Sequence, residues 1–214
     1  CSTVYMDENG NHLTSALEYE TIGCVGSNCG IGNLDTIAKI DRFCDEYGLD
    51  TMEFGDTIGV VMESGLIEFG DEEGVLGLLE EIKKDTVLGK VLGQGTGVTG
   101  KVLGVRRIPV VKNQSLSAYD PRGLKGTGVT YITSPMGADH TAGNVLPGRA
   151  GYSQPSIHPH ESNDQYKLSR EIQELTTVCD VVGLCFFVGA TLETVDYLSQ
   201  LLKAKFGKEF TRQQ

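Results

Sequence analysis

Two stretches of the sequence share a pattern of residues suited to hold a ligand: Cys44-Asp45-Glu46-Tyr47-Gly48-Leu49-Asp50 and Cys179-Asp180-Val181-Val182-Gly183-Leu184-Cys185. Both read Cys-Asp-x-x-Gly-Leu, closed by Asp or Cys. Gly after a last helical turn is the usual way to stop a helix, so the plain reading is two Gly caps, each preceded by a solvated Asp. The chemical reading is that each turn presents a carboxylate and loop N–H groups to one ligand with two similar halves. A carboxylate accepts two parallel hydrogen bonds from an amino-pyrimidinone edge much as it does from Arg, which suits Asp45 and Asp180 to anchor a pterin.

The elements that must position these turns are largely helical. Tyr5 to Asn11 reads as a strand entering a turn through Asn9-Gly10. A helix then starts at a cap on Asn33 or Asp35, carries Leu34, Ile37, Ile40, Phe43 and Tyr47 at helical spacing, and stops at Gly48. Further helices are predicted over 51–64 and 72–92, and later over 165–179 and from a cap at Thr191 to Phe206. Between Gly93 and Asn163 Gly and Pro recur too often for long helices, so a loop-built segment is predicted there. The fold class is therefore all-α: two multihelical lobes related by the weak repeat, joined by a long Gly-rich loop segment. The boundary is placed so that 1–112 is the first lobe and 113–214 is the loop-rich segment with the second.

Composition narrows the function classes. Lys plus Arg number 18 against 29 Asp plus Glu, a formal charge of −11 with no long basic run, so nucleic acid is not an expected partner. No apolar stretch approaches the ~20 residues of a membrane helix and no signal-peptide pattern is seen, which points to a cytoplasmic protein with no membrane partner. Cys1, Cys24, Cys29, Cys44, Cys179 and Cys185 then read as thiols or metal ligands rather than a disulfide framework. His158-Pro159-His160 is a weak metal signal, better read as a polar loop, and Gly93 to Gly100 lacks the Gly-Lys-(Ser/Thr) ending of a phosphate loop.

With these turns in hand the sequence resembles the aldehyde ferredoxin oxidoreductase family, tungsten enzymes with a bis-pterin cofactor and a nearby four-iron four-sulfur cluster. Besides the paired turns, Ala16-Leu17-Glu18-Tyr19-Glu20-Thr21, Ala118-Tyr119-Asp120-Pro121-Arg122-Gly123 and Thr130-Tyr131-Ile132-Thr133-Ser134-Pro135-Met136-Gly137-Ala138-Asp139-His140 resemble family blocks and stand in family order. The resemblance implies that Asp45, Gly48, Leu49, Asp50 and Thr51 form the first pterin motif and Asp180, Gly183 and Leu184 the second. It also implies that Cys1 is the last member of a Cys-x-x-Cys-x-x-x-Cys run and that Cys185 is the distant fourth cluster ligand. Family members are much longer and begin with a β-rich domain that embraces the pterins, none of which is in this sequence. A helical C-terminal portion of a larger enzyme is expected, inactive and without its cofactors when alone.

The resemblance further makes Glu20 and His140 the acid and base near the metal; without it they read as a solvated acid and a loop histidine. Oxidation of an aldehyde needs proton transfer by groups that titrate near neutrality. His140 would polarise the carbonyl oxygen and Glu20 would take the proton. The implied reaction is aldehyde to carboxylic acid, with ferredoxin as electron acceptor, tungsten or molybdenum as the metal, and a homo-oligomer as an open possibility. Asn113 and Ser115, where Gly and Glu are frequent in the family, and Asp139 leave the substrate open. A tungsten reductase acting on another substrate, such as an activated aromatic acid, and a truncated non-catalytic helical module are the alternatives.

Overall fold

A computed structural model describes residues 3–15 and 17–211, and Asn33, Asp50, Asp71, Thr86 and Thr191 each cap the helix that follows with their own side chain. The chain divides into two compact units, Cys1–Ala118 and Tyr119–Gln214. Among the described residues the fold is all-α apart from two small antiparallel sheets. Strand β1 (Val4–Met6) pairs with β2 (His12–Ser15) across the predicted Asn9-Gly10 turn.

In the first unit, a short helical turn α1 (Tyr19–Thr21) runs into a π-helical turn over Ile22–Gly26. Helix α2 (Leu34–Tyr47) follows, with the Asn33 side chain accepting from the Asp35 amide at 3.0 Å. Helix α3 (Thr51–Glu63) is capped by Asp50, whose carboxylate accepts from the Glu53 amide at 2.9 Å. Such a cap satisfies a donor the first turn leaves orphaned and contributes ~1 kcal/mol. The core forms where Ile37 and Ile40 of α2 meet Phe54 and Ile58 of α3 and the next helix contributes Val75 and Leu79. Each such side chain removed from water contributes ~1.5–3 kcal/mol.

The single helix predicted over 72–92 is two helices, α4 (Glu72–Lys83) and α5 (Val87–Leu92). Asp85 takes a positive φ of 52°, and Thr86 restarts the chain by accepting from the Gly89 amide at 3.0 Å. The periodic apolar residues run through the break because both helices pack on one core.

The segment predicted as loop also contains helices. Helix α6 (Thr96–Val102) follows directly, then strands β3 (Val110–Val111) and β4 (Gln114–Ser115) form a hairpin, and α7 (Lys125–Thr133) opens the regular structure of the second unit. Gly costs ~1 kcal/mol per residue in a helix. Tertiary bonds offset that cost: Thr96 donates through its amide to the Glu53 carboxylate and through its hydroxyl to the Glu53 carbonyl, at 2.8 and 2.9 Å.

In the second unit α7 packs on α8 (Gln165–Val181) through small polar residues, with Thr130 and Ser169 hydroxyls 2.8 Å apart and both residues fully buried. Helix α9 (Leu192–Phe206) closes the unit, capped by Thr191 as its sequence predicts. Among the described residues no helix is long and apolar enough to cross a membrane.

Candidate functional site

The repeated turns share a left-handed glycine and one closing hydrogen bond. Gly48 and Gly183 are both left-handed, with φ of 67° and 71°. The Leu49 amide donates to the Cys44 carbonyl and the Leu184 amide to the Cys179 carbonyl, each at 2.9 Å. These are the six-to-one bonds of a Schellman helix end, which joins a hydrophobic contact to its closing bond. Leu49 packs against the cluster containing Cys44, and Leu184 against the cluster containing Cys179. Cys and Leu of the pattern thus serve the turn, while Asp45 and Asp180 stand exposed beside it.

In the first unit the candidate residues meet on α3. The Thr21 and Thr51 hydroxyls lie 2.8 Å apart, which ties the Glu20 segment to the start of α3. Glu20 is half-buried, and its Oε2 accepts from the Ala118 amide at 2.8 Å. Asp50 is exposed and spends one oxygen on the α3 cap.

Behind them lies an acidic group that sequence reasoning missed. Glu53 accepts from the amides of Thr96 and Ser115, at 2.8 and 2.9 Å. Asp56, one turn on, is 6% exposed; its Oδ1 accepts from the Asn28 side chain at 3.2 Å, and its buried Oδ2 has no partner among the described residues. Burial, and then the charges of Glu53 and Glu20, push the Asp56 carboxyl up to about 8. Two acids three residues apart in a helix that also carries Phe54, Ile58 and Val61 were the available signal.

The thiols divide sharply. Cys24, Cys29, Cys44 and Cys179 are buried, whereas Cys185 is exposed. Burial first, and then nearby carboxylates, push Cys29 and Cys44 up to about 12 and raise Cys24 as well. They stay neutral at ordinary pH, whereas the thiolate is the metal-binding form. Cys185 is the described Cys open to a ligand, and Cys1 lies outside the described residues.

In the second unit His140 opens a single helical turn, His140–Ala142, capped by Asp139, which accepts from the Thr141 amide at 2.8 Å. Its ring lies 5.3 Å from that of Tyr119, tilted by 31°. Tyr119 is held in turn by its carbonyl, which accepts from the Tyr131 hydroxyl at 2.9 Å. Asp180, Gly183, Leu184 and Cys185 share one turn at the end of α8. The His158 and His160 rings meet edge to face at 5.3 Å, and no group of three or more His, Cys, Asp or Glu poised for a metal occurs among the described residues.

Taken singly, each turn leaves an exposed carboxylate, an acceptor suited to a pterin edge, and the second turn adds an accessible thiol, a ligand type suited to a soft metal cluster.

The family model for aldehyde ferredoxin oxidoreductase, domains 2 and 3, matches residues 1–214. A tungsten-containing aldehyde ferredoxin oxidoreductase of Pyrococcus horikoshii is 34% identical over 217 residues, covering 92% of this chain and 35% of the relative. One of Pyrococcus furiosus is 34% identical over 215 residues, with the same coverage on both sides. The aliphatic sulfonate oxidoreductase, WOR-like subunit, of Pyrococcus furiosus is 29% identical over 162 residues, covering 66% of this chain and 26% of that subunit. The chain thus spans about a third of the length of the curated oxidoreductases it matches, 35% in each case.

Proposed function

Because the chain belongs to the aldehyde ferredoxin oxidoreductase family, we propose that it is the helical portion of a tungsten enzyme that oxidises aldehydes to carboxylic acids and delivers the electrons to ferredoxin. The observation that carries this reading is the pair of equivalent turns, each presenting an exposed Asp, with the accessible Cys185 closing the second.

Oxidation of an aldehyde with water to the acid releases two electrons and two protons. A bis-pterin tungsten centre, when bound, supplies the two-electron acceptor, and a four-iron four-sulfur cluster the exit for those electrons. Asp45 and Asp180 would each accept hydrogen bonds from one pterin edge. Gly48 and Gly183 end the helices just after those carboxylates, which sit on the last helical turns, while Leu49 and Leu184 hold the turns closed. Asp50 and Thr51 keep the start of α3 fixed beside the first turn. Cys185 and Cys1 would each give a thiolate to the cluster. His140 donates a hydrogen bond to the substrate carbonyl oxygen, and Glu20 takes a proton from the attacking water. Each is a role for a half-buried side chain held by a defined neighbour.

Loss of tungsten from a D45A/D180A protein, and loss of iron from C185S, with helix content kept in both, are the expected results. Full tungsten and iron in these variants would overturn the cofactor assignment. The match to an aliphatic sulfonate oxidoreductase subunit favours a second reading in which the same scaffold acts on another substrate. A loaded protein that reduces ferredoxin with other compounds and leaves aldehydes untouched would select it.

A further inference from the structure

The half-buried Arg149 reaches two segments at once. Its Nη1 donates to the Asn144 carbonyl at 2.9 Å, and its guanidinium carbon lies 5.0 Å from the centre of the Phe186 ring. The first contact belongs to the chain that carries His140. That chain is pinned to α7: the Gly143 carbonyl accepts from the Thr130 hydroxyl at 2.8 Å, and the Asn144 side chain, 2% exposed, accepts from the Thr127 hydroxyl at 2.8 Å. The second contact belongs to the turn that begins at Cys185, where the Val188 amide donates to the Cys185 carbonyl and the Gly189 amide to the Phe186 carbonyl, both at 3.0 Å. That turn has few anchors of its own, since Phe187 and Val188 are 78% and 61% exposed.

We propose that Arg149 is a positioning residue that locks the Cys185 turn to the His140 loop and holds a fixed positive charge against Phe186, the residue that follows the cluster ligand. The role rests on the cluster assignment given to Cys185 above. A planar guanidinium can lie on an aromatic face and donate in its own plane at the same time; an ammonium on a flexible stem lacks that pre-organised plane and holds the same two contacts less firmly. A cation close to an iron–sulfur cluster stabilises its reduced form, so the charge raises the reduction potential. In this way the side chain that steadies the turn also helps the cluster accept electrons.

Three variants of the intact protein test this. In R149M, hydrogen exchange at the Val188 and Gly189 amides should quicken at least tenfold, with the α8 amides of Leu168 to Leu175 unchanged. The cluster potential should fall. R149K should keep the potential near that of the parent while protecting the turn only in part. Should R149M fail to fold, F186L removes the ring while keeping apolar volume, and should produce the same faster exchange. Unchanged exchange in R149M or F186L overturns the positioning role, and an unchanged potential in R149M overturns the electrostatic one. If the parent itself holds no cluster, the cluster reading of Cys185 fails, and the exchange measurements still decide whether Arg149 holds the turn.

Discussion

Gly55 of α3 lies flat against the backbone of Cys24: a Cβ at position 55 would stand 2.6 Å from the Cys24 carbonyl carbon and 2.8 Å from the Val25 nitrogen. This approach sets the π-helical turn after Glu20 on α3 and brings Thr21 within reach of Thr51.

Gly55→Ala should therefore cost more than Gly48→Ala or Gly183→Ala. At 55 backbone must move, an overpacking penalty of ~1–3 kcal/mol. At 48 and 183 nothing lies within 4 Å of the added carbon, so only the left-handed backbone is strained, at ~1–2 kcal/mol. Urea midpoints at constant m-value give the ranking. A smaller loss at 55 than at 183 would contradict the close approach.

Glu53 links α3 to two later segments by accepting from the Thr96 and Ser115 amides. Glu53→Gln replaces one acceptor with an NH₂ group that faces a donor, leaving an amide unsatisfied at a cost of ~1–3 kcal/mol. The loss should be accompanied by faster hydrogen exchange at residues 96 and 115, with α2 unaffected.

Asp56 gives the first unit a pH-dependent stability. Its folded pKa, about 8, lies above that of an ordinary carboxyl because of burial and then Glu53 and Glu20. Its contribution is fully present below about pH 4 and is lost as pH rises toward about 8, with a limiting slope of ~1.4 kcal/mol per pH unit. Asp56→Asn should flatten stability between pH 5 and 8, roughly the window in which a carboxyl so shifted titrates. Glu53→Gln should move the parent's transition to lower pH, since it removes the larger of the two carboxylate effects on Asp56.

Glu171 imposes the opposite slope on the acid side of the second unit. Its burial opposes charge, but the hydroxyl and amide of Ser153 and the amides of Gln154 and Tyr152 outweigh that and hold its pKa below the usual glutamate range. The stability it contributes is present above that range and lost as pH falls through the lowered value. Glu171→Gln should reduce acid sensitivity and cost ~1–3 kcal/mol at neutral pH, read by denaturant unfolding across pH.

His140→Ala in the loaded protein should lower turnover by ~100- to 10,000-fold while tungsten and iron content stay at parental levels. Unchanged turnover would remove His140 from the proton chemistry.

Much of this was legible in the chain because its signals are local. Asn33, Asp50 and Thr191 cap helices with their own side chains, and Gly48 and Gly183 end helices that need a left-handed residue. The Cys-Asp-x-x-Gly-Leu repeat could be read from spacing alone, since a helix end closes within six residues. Only the tertiary structure assigned the work within it, with Cys and Leu buried in the turn's own packing and Asp left outside. The helix at Thr96–Val102 was hidden because its Gly-rich sequence has poor intrinsic propensity and is held by Glu53, 43 residues earlier. Asp56 and Arg149 were invisible for the same reason: a buried proton and a bridging cation depend on neighbours distant in sequence, and no local pattern encodes which ones folding will bring together.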